Sequence, residues 1–399
     1  MDILWLLRGH LRWAWFVGGM VRLWMLCWLL VAVVSLRAEH SAADLAYAMS
    51  TRYAPYANWD SVVDVDVLAR QRVERYWQTA EEIRSERKVD TRPLTGLHIA
   101  LDPGHVGGRW AKYEGRDFVI EDSDYRVREG ELVLEVAQRV RSQLLELGAE
   151  VTLLREGAEP INPKPPLAYL ELAARQIARP KELNFETLLD YGYALRDRSI
   201  HLSVVTGEIA ERARVVNEVI QPDAFISLHI NAAPWPLGDA KPGEQAMALG
   251  RVKRLVKSNH VHVLVFGCMS RRELSSPRQQ EQFVKKFLNG SAAMEHRLGR
   301  SLGEALIEAS GLNASSYEGE NAIRMDVEAP VMWARNLMLL RTVECPTVLL
   351  EPYVANSEAV YSRIQSALHA RATGAKLPDN DILLEYTDAV VSGVRAVYE

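Results

Sequence analysis

Short, nearly unbroken apolar runs, set apart by stretches of helical period, constrain this chain more than any other feature. Ala224–Ile230 (AFISLHI), Val261–Phe266 (VHVLVF) and Pro346–Glu351 (PTVLLE) each have the length of one buried strand. Leu97, Ile99 and Leu101 alternate in a run that stops at Asp102-Pro103-Gly104. Glu129–Leu147 then places Leu132, Val136, Val140, Leu144 and Leu147 at helical spacing, with Gly148 as its stop and Glu150–Arg155 as the next strand. Further helices are predicted at Gly207–Ile220, Gln279–Leu288, Ser291–Ser310, Ser357–Ala370 and Asp381–Val397. This alternation predicts an α/β fold: a single catalytic domain with a mainly parallel sheet covered by helices. With 399 residues, 48% of them hydrophobic, the chain can bury a large core.

Three regions are expected. Residues 1–38 read as a signal peptide or membrane anchor: Arg8, Arg12 and Arg22 precede Leu23–Leu36, an apolar run without charge. Export follows, to the periplasm or cell envelope, with cleavage favoured over anchoring. Cleavage would remove four arginines and one aspartate from a chain of net charge −5. Residues 39–94 read as a helical prefix or linker, with a helix over Val67–Arg87 that carries Val73, Trp77 and Ile83 on one face. Residues 95–399 form the catalytic domain, with inserts near 157–206 and 240–341. The acidic balance and the lack of a basic block argue against a nucleic-acid partner. Membrane contact would come only through an uncleaved N-terminal segment. Three cysteines make no disulfide framework, and Cys268 and Cys345 are expected as buried free thiols.

Ligands of parallel sheets gather beyond the carboxyl ends of the strands. His105, His229 and Glu351 fall at or just past such ends, and Glu129 opens the helix that follows the first. Two imidazoles and a carboxylate with an open coordination position form a catalytic zinc set. A further carboxylate beside the metal can take a proton from water. Each residue has a plainer role when taken singly. Glu129 would favour the helix dipole, and a strand-end histidine can simply occupy a turn. Glu351 is the least comfortable, because a carboxylate in an apolar strand costs free energy unless it is paired or faces a cleft. His260 and His262 alternate on one strand with no carboxylate motif joining them, and read as polar-face residues.

The local motifs resemble the zinc-dependent N-acetylmuramoyl-L-alanine amidases of the Amidase_3 type, which are peptidoglycan hydrolases. Asp102-Pro103-Gly104-His105-Val106-Gly107-Gly108 matches the family's DPGHGG turn with one inserted residue. Glu129-Gly130-Glu131-Leu132 matches its E-K-D-x-N-L helix start at the glutamate, with Gly130 and Val133 as departures. Ser227-Leu228-His229-Ile230-Asn231 matches S-I-H-x-N, preceded by Arg212 and Val216-Asn217. Pro346–Glu351 matches P-x-V-L-V-E, and Asn356 follows. The resemblance covers Leu97–Arg363.

The resemblance implies one Zn2+ held by His105, Glu129 and His229, with Glu351 as general base. It implies hydrolysis of the amide between N-acetylmuramic acid and L-alanine, with peptidoglycan as partner and a protein activator as a candidate second one. Asn231 is a candidate substrate or supporting contact. Asp102 either orients a ligand or fixes the DPG turn. The long link Arg109–Arg128 leaves Glu121, Asp122 and Glu131 as rivals to Glu129. Two readings of the inserts stand: decorations of the fold that carry loops, which is favoured, or a lid or regulatory helix over the site, with Ser276–Leu298 its first candidate. The rival functions are a zinc carboxypeptidase or other metallopeptidase, and an inactive cell-wall-binding protein.

Overall fold

The computed structural model describes residues 41–89, 91–235, 254–326 and 330–399. The expected signal or anchor segment lies outside them, and no helix among the described residues is long and apolar enough to cross a membrane. The chain divides into two compact units. In the first, Met1–Tyr47 with Asp64–Gln71, the described residues carry most of the helix Ala42–Ala48 and all of Val65–Leu68. The Asp64 carboxylate caps the latter by accepting from the Val67 N–H at 3.0 Å.

The second unit, Ala48–Val63 with Arg72–Glu399, holds the sheet. Its strands are β1 (His98–Pro103), β2 (Asp117–Phe118), β3 (Val127–Arg128), β4 (Glu150–Leu153), β5 (Ala224–Leu228), β6 (Val261–Phe266), β7 (Ile323–Arg324), β8 (Met332–Arg335) and β9 (Thr347–Pro352). Seven of them make one sheet in the order β4-β1-β5-β9-β6-β8-β7, and β2 and β3 form a separate antiparallel hairpin. β4, β1, β5 and β9 run parallel to one another. β6 runs antiparallel to β9, which brings the start of β6 to the end of β9. The central strands β5 and β6 are buried along their whole length, as unbroken apolar runs require when helices cover both faces.

Helices of this unit include α1 (Glu129–Glu146), α2 (Pro277–Leu288) and α3 (Ser291–Ser310). The face of α1 given by Leu132, Val136, Val140 and Leu144 is buried in the core.

The structure departs from the sequence reading in three places. The helix expected over Val67–Arg87 is replaced, within the second unit, by an extended run and a short helix, Ala80–Glu86. Thr79 and Glu82 form a reciprocal capping box that starts the helix there. The region taken as a second insert supplies β6, β7, β8, α2 and α3, and so builds the sheet and its cover. Within it, the candidate lid segment Ser276–Leu298 buries Phe283, Phe287, Leu288, Met294 and Leu298. It is core, because its apolar stripe is the inner face of α2 and α3.

The same segment anchors the chain before β1. Glu295 of α3 is buried between two cations, Lys286 Nζ at 2.7 Å and the guanidinium of Arg52. Arg52 also donates to the Phe266 carbonyl at the end of β6, and its own carbonyl accepts from the Cys268 N–H at 2.7 Å. Cys268 and Cys345 are both buried and unpaired with each other. Burial alone would raise the Glu295 carboxyl, but Lys286 and Arg52 outweigh it and hold it below the usual range. A depressed carboxyl contributes stability above its unfolded pKa and loses it as pH falls through the folded one. We therefore expect acid unfolding to include this group. Glu295→Ala, which leaves two buried cations without their anion, should lower unfolding stability at pH 7 by about 3–5 kcal/mol in a denaturant titration.

Candidate metal centre

The turn after β1 delivers His105 with a left-handed backbone, φ 56°. A non-glycine residue rarely holds that conformation unless its surroundings impose it. Two buried arginines do so. Arg212 donates to the carbonyls of Pro103 (3.0 Å) and His105 (2.7 Å). Arg155 donates to the carbonyls of Pro103 (3.0 Å), Gly104 (3.3 Å) and Gly157 (2.6 Å), and to that of Gly130. Asp102 is fully buried and balances Arg212 at 2.6 Å, while its other oxygen accepts from the Ser227 hydroxyl. Asp102 thus acts on the turn through Arg212; its side-chain bonds go to neither histidine. Burial and the neighbouring charge of Arg212 push Arg155 down to about 10, so it stays cationic at neutral pH.

The turn lies close to both of its neighbours. A Cβ on Gly104 would stand 2.3 Å from the His229 ring. A Cβ on Gly130 would stand 2.3 Å from the Val106 carbonyl oxygen. Gly130, a departure from the family motif, is therefore required by the way the chain passes over the start of α1.

His105, Glu129 and His229 converge, with one ligand atom of each lying within 4.8 Å of the others. Glu129 Oε1 lies 3.5 Å from His105 Nε2 and 3.1 Å from His229 Nδ1, and accepts from the Ile230 N–H at 3.0 Å. Burial would raise the Glu129 carboxyl, but His105, His229 and Arg116 together bring it down to about 2. It is an anion at any physiological pH. Two nitrogens and an ionised oxygen make a donor set that suits zinc. Among the described residues this is the group able to hold a metal ion. The rivals stand elsewhere: Glu131 accepts from the Gly108 N–H and pairs with Arg128, and Glu121 and Asp122 are exposed.

The link Arg109–Arg128 contributes two residues that the motif reading missed. Glu114 closes a short 3-10 helix, Gly108–Glu114, and accepts from the Val106 N–H at 2.7 Å. Its other oxygen stands 3.1 Å from His105 Nδ1, off the hydrogen-bonding direction. Arg116 places Nε 3.3 Å from Glu129 Oε2, on the side away from the histidines' shared oxygen. The β2–β3 hairpin pairs Asp117 with Arg128 and so holds Arg116 beside Glu129. Both residues sit among ordinary charged loop residues, and no spacing rule singles them out.

Glu351 is the penultimate residue of β9, next to His229 just past the end of β5, where the His229 N–H donates to the Leu350 carbonyl at 2.9 Å. It remains partly exposed. The Asn231 amide nitrogen lies 3.2 Å from His260 Nε2.

The model of the Amidase_3 family, N-acetylmuramoyl-L-alanine amidase, matches residues 99–376. The chain belongs to this family. A search of curated proteins gave no match. Solved structures that resemble this amidase include Ami1 of Mycobacterium smegmatis, at 17% identity and TM-score 0.40, covering 76% of this chain and 98% of that one. The catalytic domain of CwlV from Bacillus (Paenibacillus) polymyxa var. colistinus matches at 14% identity and TM-score 0.37, covering 75% and 96%. CwlD of Clostridioides difficile, solved in complex with the GerS lipoprotein, matches at 14% and 0.36, covering 75% and 98%.

Two outcomes are expected at this centre. Glu114→Gln removes the charge beside His105 and should weaken zinc binding about 10-fold in a competition titration against a chromophoric chelator. Gly130→Ala forces the Val106 carbonyl to move and should cost about 1–3 kcal/mol of unfolding stability.

Proposed function

We propose that this chain is a zinc-dependent amidase of the cell envelope. Its substrate is the amide that joins the lactyl group of N-acetylmuramic acid to the L-alanine of the stem peptide. The observation that carries the reading is the convergence of His105, Glu129 and His229 at strand ends beside Glu351, in a chain of this family.

In this reading His105, Glu129 and His229 hold the ion. Zinc bound there supplies a Lewis acid for the scissile carbonyl and makes water acidic near neutral pH. Glu351 accepts the proton of the attacking water, whose oxygen bonds to the carbonyl carbon. As the C–N bond breaks, Glu351 returns that proton to the departing amine of L-alanine. Glu114 and Arg116 keep the ligands His105 and Glu129 in place. Asn231 presents a polar group next to His229 for substrate, steadied by His260. Asp102 works at one remove, through Arg212 and the His105 turn.

Peptidoglycan lies outside the cytoplasmic membrane, so the apolar run of residues 23–36 fits export of the enzyme. A protein activator remains a candidate partner. Digestion of purified sacculi, with products identified by mass spectrometry, tests the reading. Free stem peptides beginning with L-alanine are expected; chelation should abolish them and added zinc should restore them. Release of a terminal D-alanine alone would identify a carboxypeptidase, and absence of any product would identify a binding protein. Glu351→Gln should keep its zinc and lose about 10²- to 10⁴-fold in kcat. Unchanged turnover would remove Glu351 from the role of base.

A further inference from the structure

The reversal of β6 against β9 brings an unassigned cluster to the proposed base. His262 lies directly opposite Glu351 in the antiparallel register. Directly opposed residues of an antiparallel pair share a face of the sheet. His262 Nδ1 stands 3.8 Å from Glu351 Oε2 and 3.0 Å from the Tyr317 hydroxyl. The Tyr317 ring is itself fixed, edge-on to Trp333 at 5.1 Å with the Arg335 guanidinium 5.7 Å above it. His260 stacks on His262 at 4.5 Å.

The state of the His262 ring follows from its surroundings. It is buried, and burial together with His260 and Arg335 pushes its pKa down to about 3, so the ring is neutral. A neutral imidazole carries one N–H. Among the described residues His262 Nε2 is buried without a hydrogen-bond partner. An orphaned buried N–H is rarer than an orphaned acceptor, which assigns the proton to Nδ1. There it reaches the Tyr317 hydroxyl at 3.0 Å, with Glu351 Oε2 beside it at 3.8 Å, in charge–dipole contact and not hydrogen-bonded. A donor on that side favours one orientation of the Glu351 carboxylate and leaves its other oxygen for the proton in transit.

We propose that His262, braced by Tyr317, is a positioning residue for Glu351. It touches no reacting atom; it holds the base at the angle from which one oxygen takes and returns the proton. The inference rests on the amidase reading and adds to it a residue outside the family motifs found in the sequence.

Steady-state kinetics on soluble muropeptides tests it, with zinc content and melting temperature measured for every variant. His262→Ala should lower kcat about 10- to 100-fold and leave KM within about threefold, since misplacement of a reacting group acts on the chemical step. His262→Asn, whose amide can place an N–H near the Nδ1 position, should recover most of the loss. Introduced into Glu351→Gln, His262→Ala should change the residual rate less than twofold, because a residue that acts through the base has nothing to act on once the base is gone. Tyr317→Phe keeps the ring and removes the brace, and should lower kcat several-fold even if His262→Ala fails to fold. An unchanged kcat in both His262→Ala and Tyr317→Phe overturns the inference. So does a His262→Ala loss that persists in full in the Glu351→Gln background, or one that only follows lost zinc or lost stability. A wild type that releases no L-alanyl stem peptides overturns the amidase reading and this inference with it. An active wild type with insensitive His262 and Tyr317 variants overturns the inference alone.

Discussion

The carbonyls of the turn at His105 converge on two guanidinium groups, and the site depends on that arrangement. Pro103, Gly104, Gly130 and His105 all point carbonyl oxygens at Arg155 or Arg212. Hydrogen bonds from charged donors contribute about 1.5–3 kcal/mol each, which is enough to hold one residue in a left-handed conformation that costs about 1–3 kcal/mol. The same bonds tie the strand end at Pro103 to the start of the helix that carries Glu129. His105 is thereby placed relative to Glu129 by backbone contacts. Asp102 balances the charge of Arg212, and this explains an acid at the end of an otherwise apolar strand.

Much of this was legible in the sequence, because the chemistry-bearing residues ride on strongly patterned elements. His105, His229 and Glu351 each end an apolar run, and Glu129 opens a helix whose core face repeats cleanly. Other parts were illegible for identifiable reasons. β7 and β8 are short, so the region around them read as an insert, although it builds one side of the sheet. Ser276–Leu298 has the amphipathic stripe of a lid and of a core helix alike, and periodicity does not say what the stripe faces. Glu114 and Arg116 reach His105 and Glu129 through the local path of a loop, for which no residue pattern exists. His262 was set aside because no carboxylate accompanies it in its own segment. Its carboxylate comes from a strand nearly ninety residues further on, paired antiparallel in a neighbourhood of parallel strands.

The departures from the family motifs gain a physical account from the same geometry. Val106 is fully buried, its amide is held by Glu114, and its carbonyl rests where a side chain on residue 130 would have to be. The residue inserted after His105 and the glycine after Glu129 are two sides of one close passage of backbone over a helix start. Substitution at either position acts on both.

The order of the strands also bears on when activity can arise. β9 lies at the centre of the sheet, between β5 and β6, yet it is the last strand in the chain. Pairings between segments so far apart in sequence carry a large loop-closure entropy and form late in folding. β9 also carries Glu351. A chain emerging from synthesis has its histidines long before it has a central strand to bring them beside this carboxylate. The full constellation of His105, Glu129, His229 and Glu351 is thus confined to the completely folded chain.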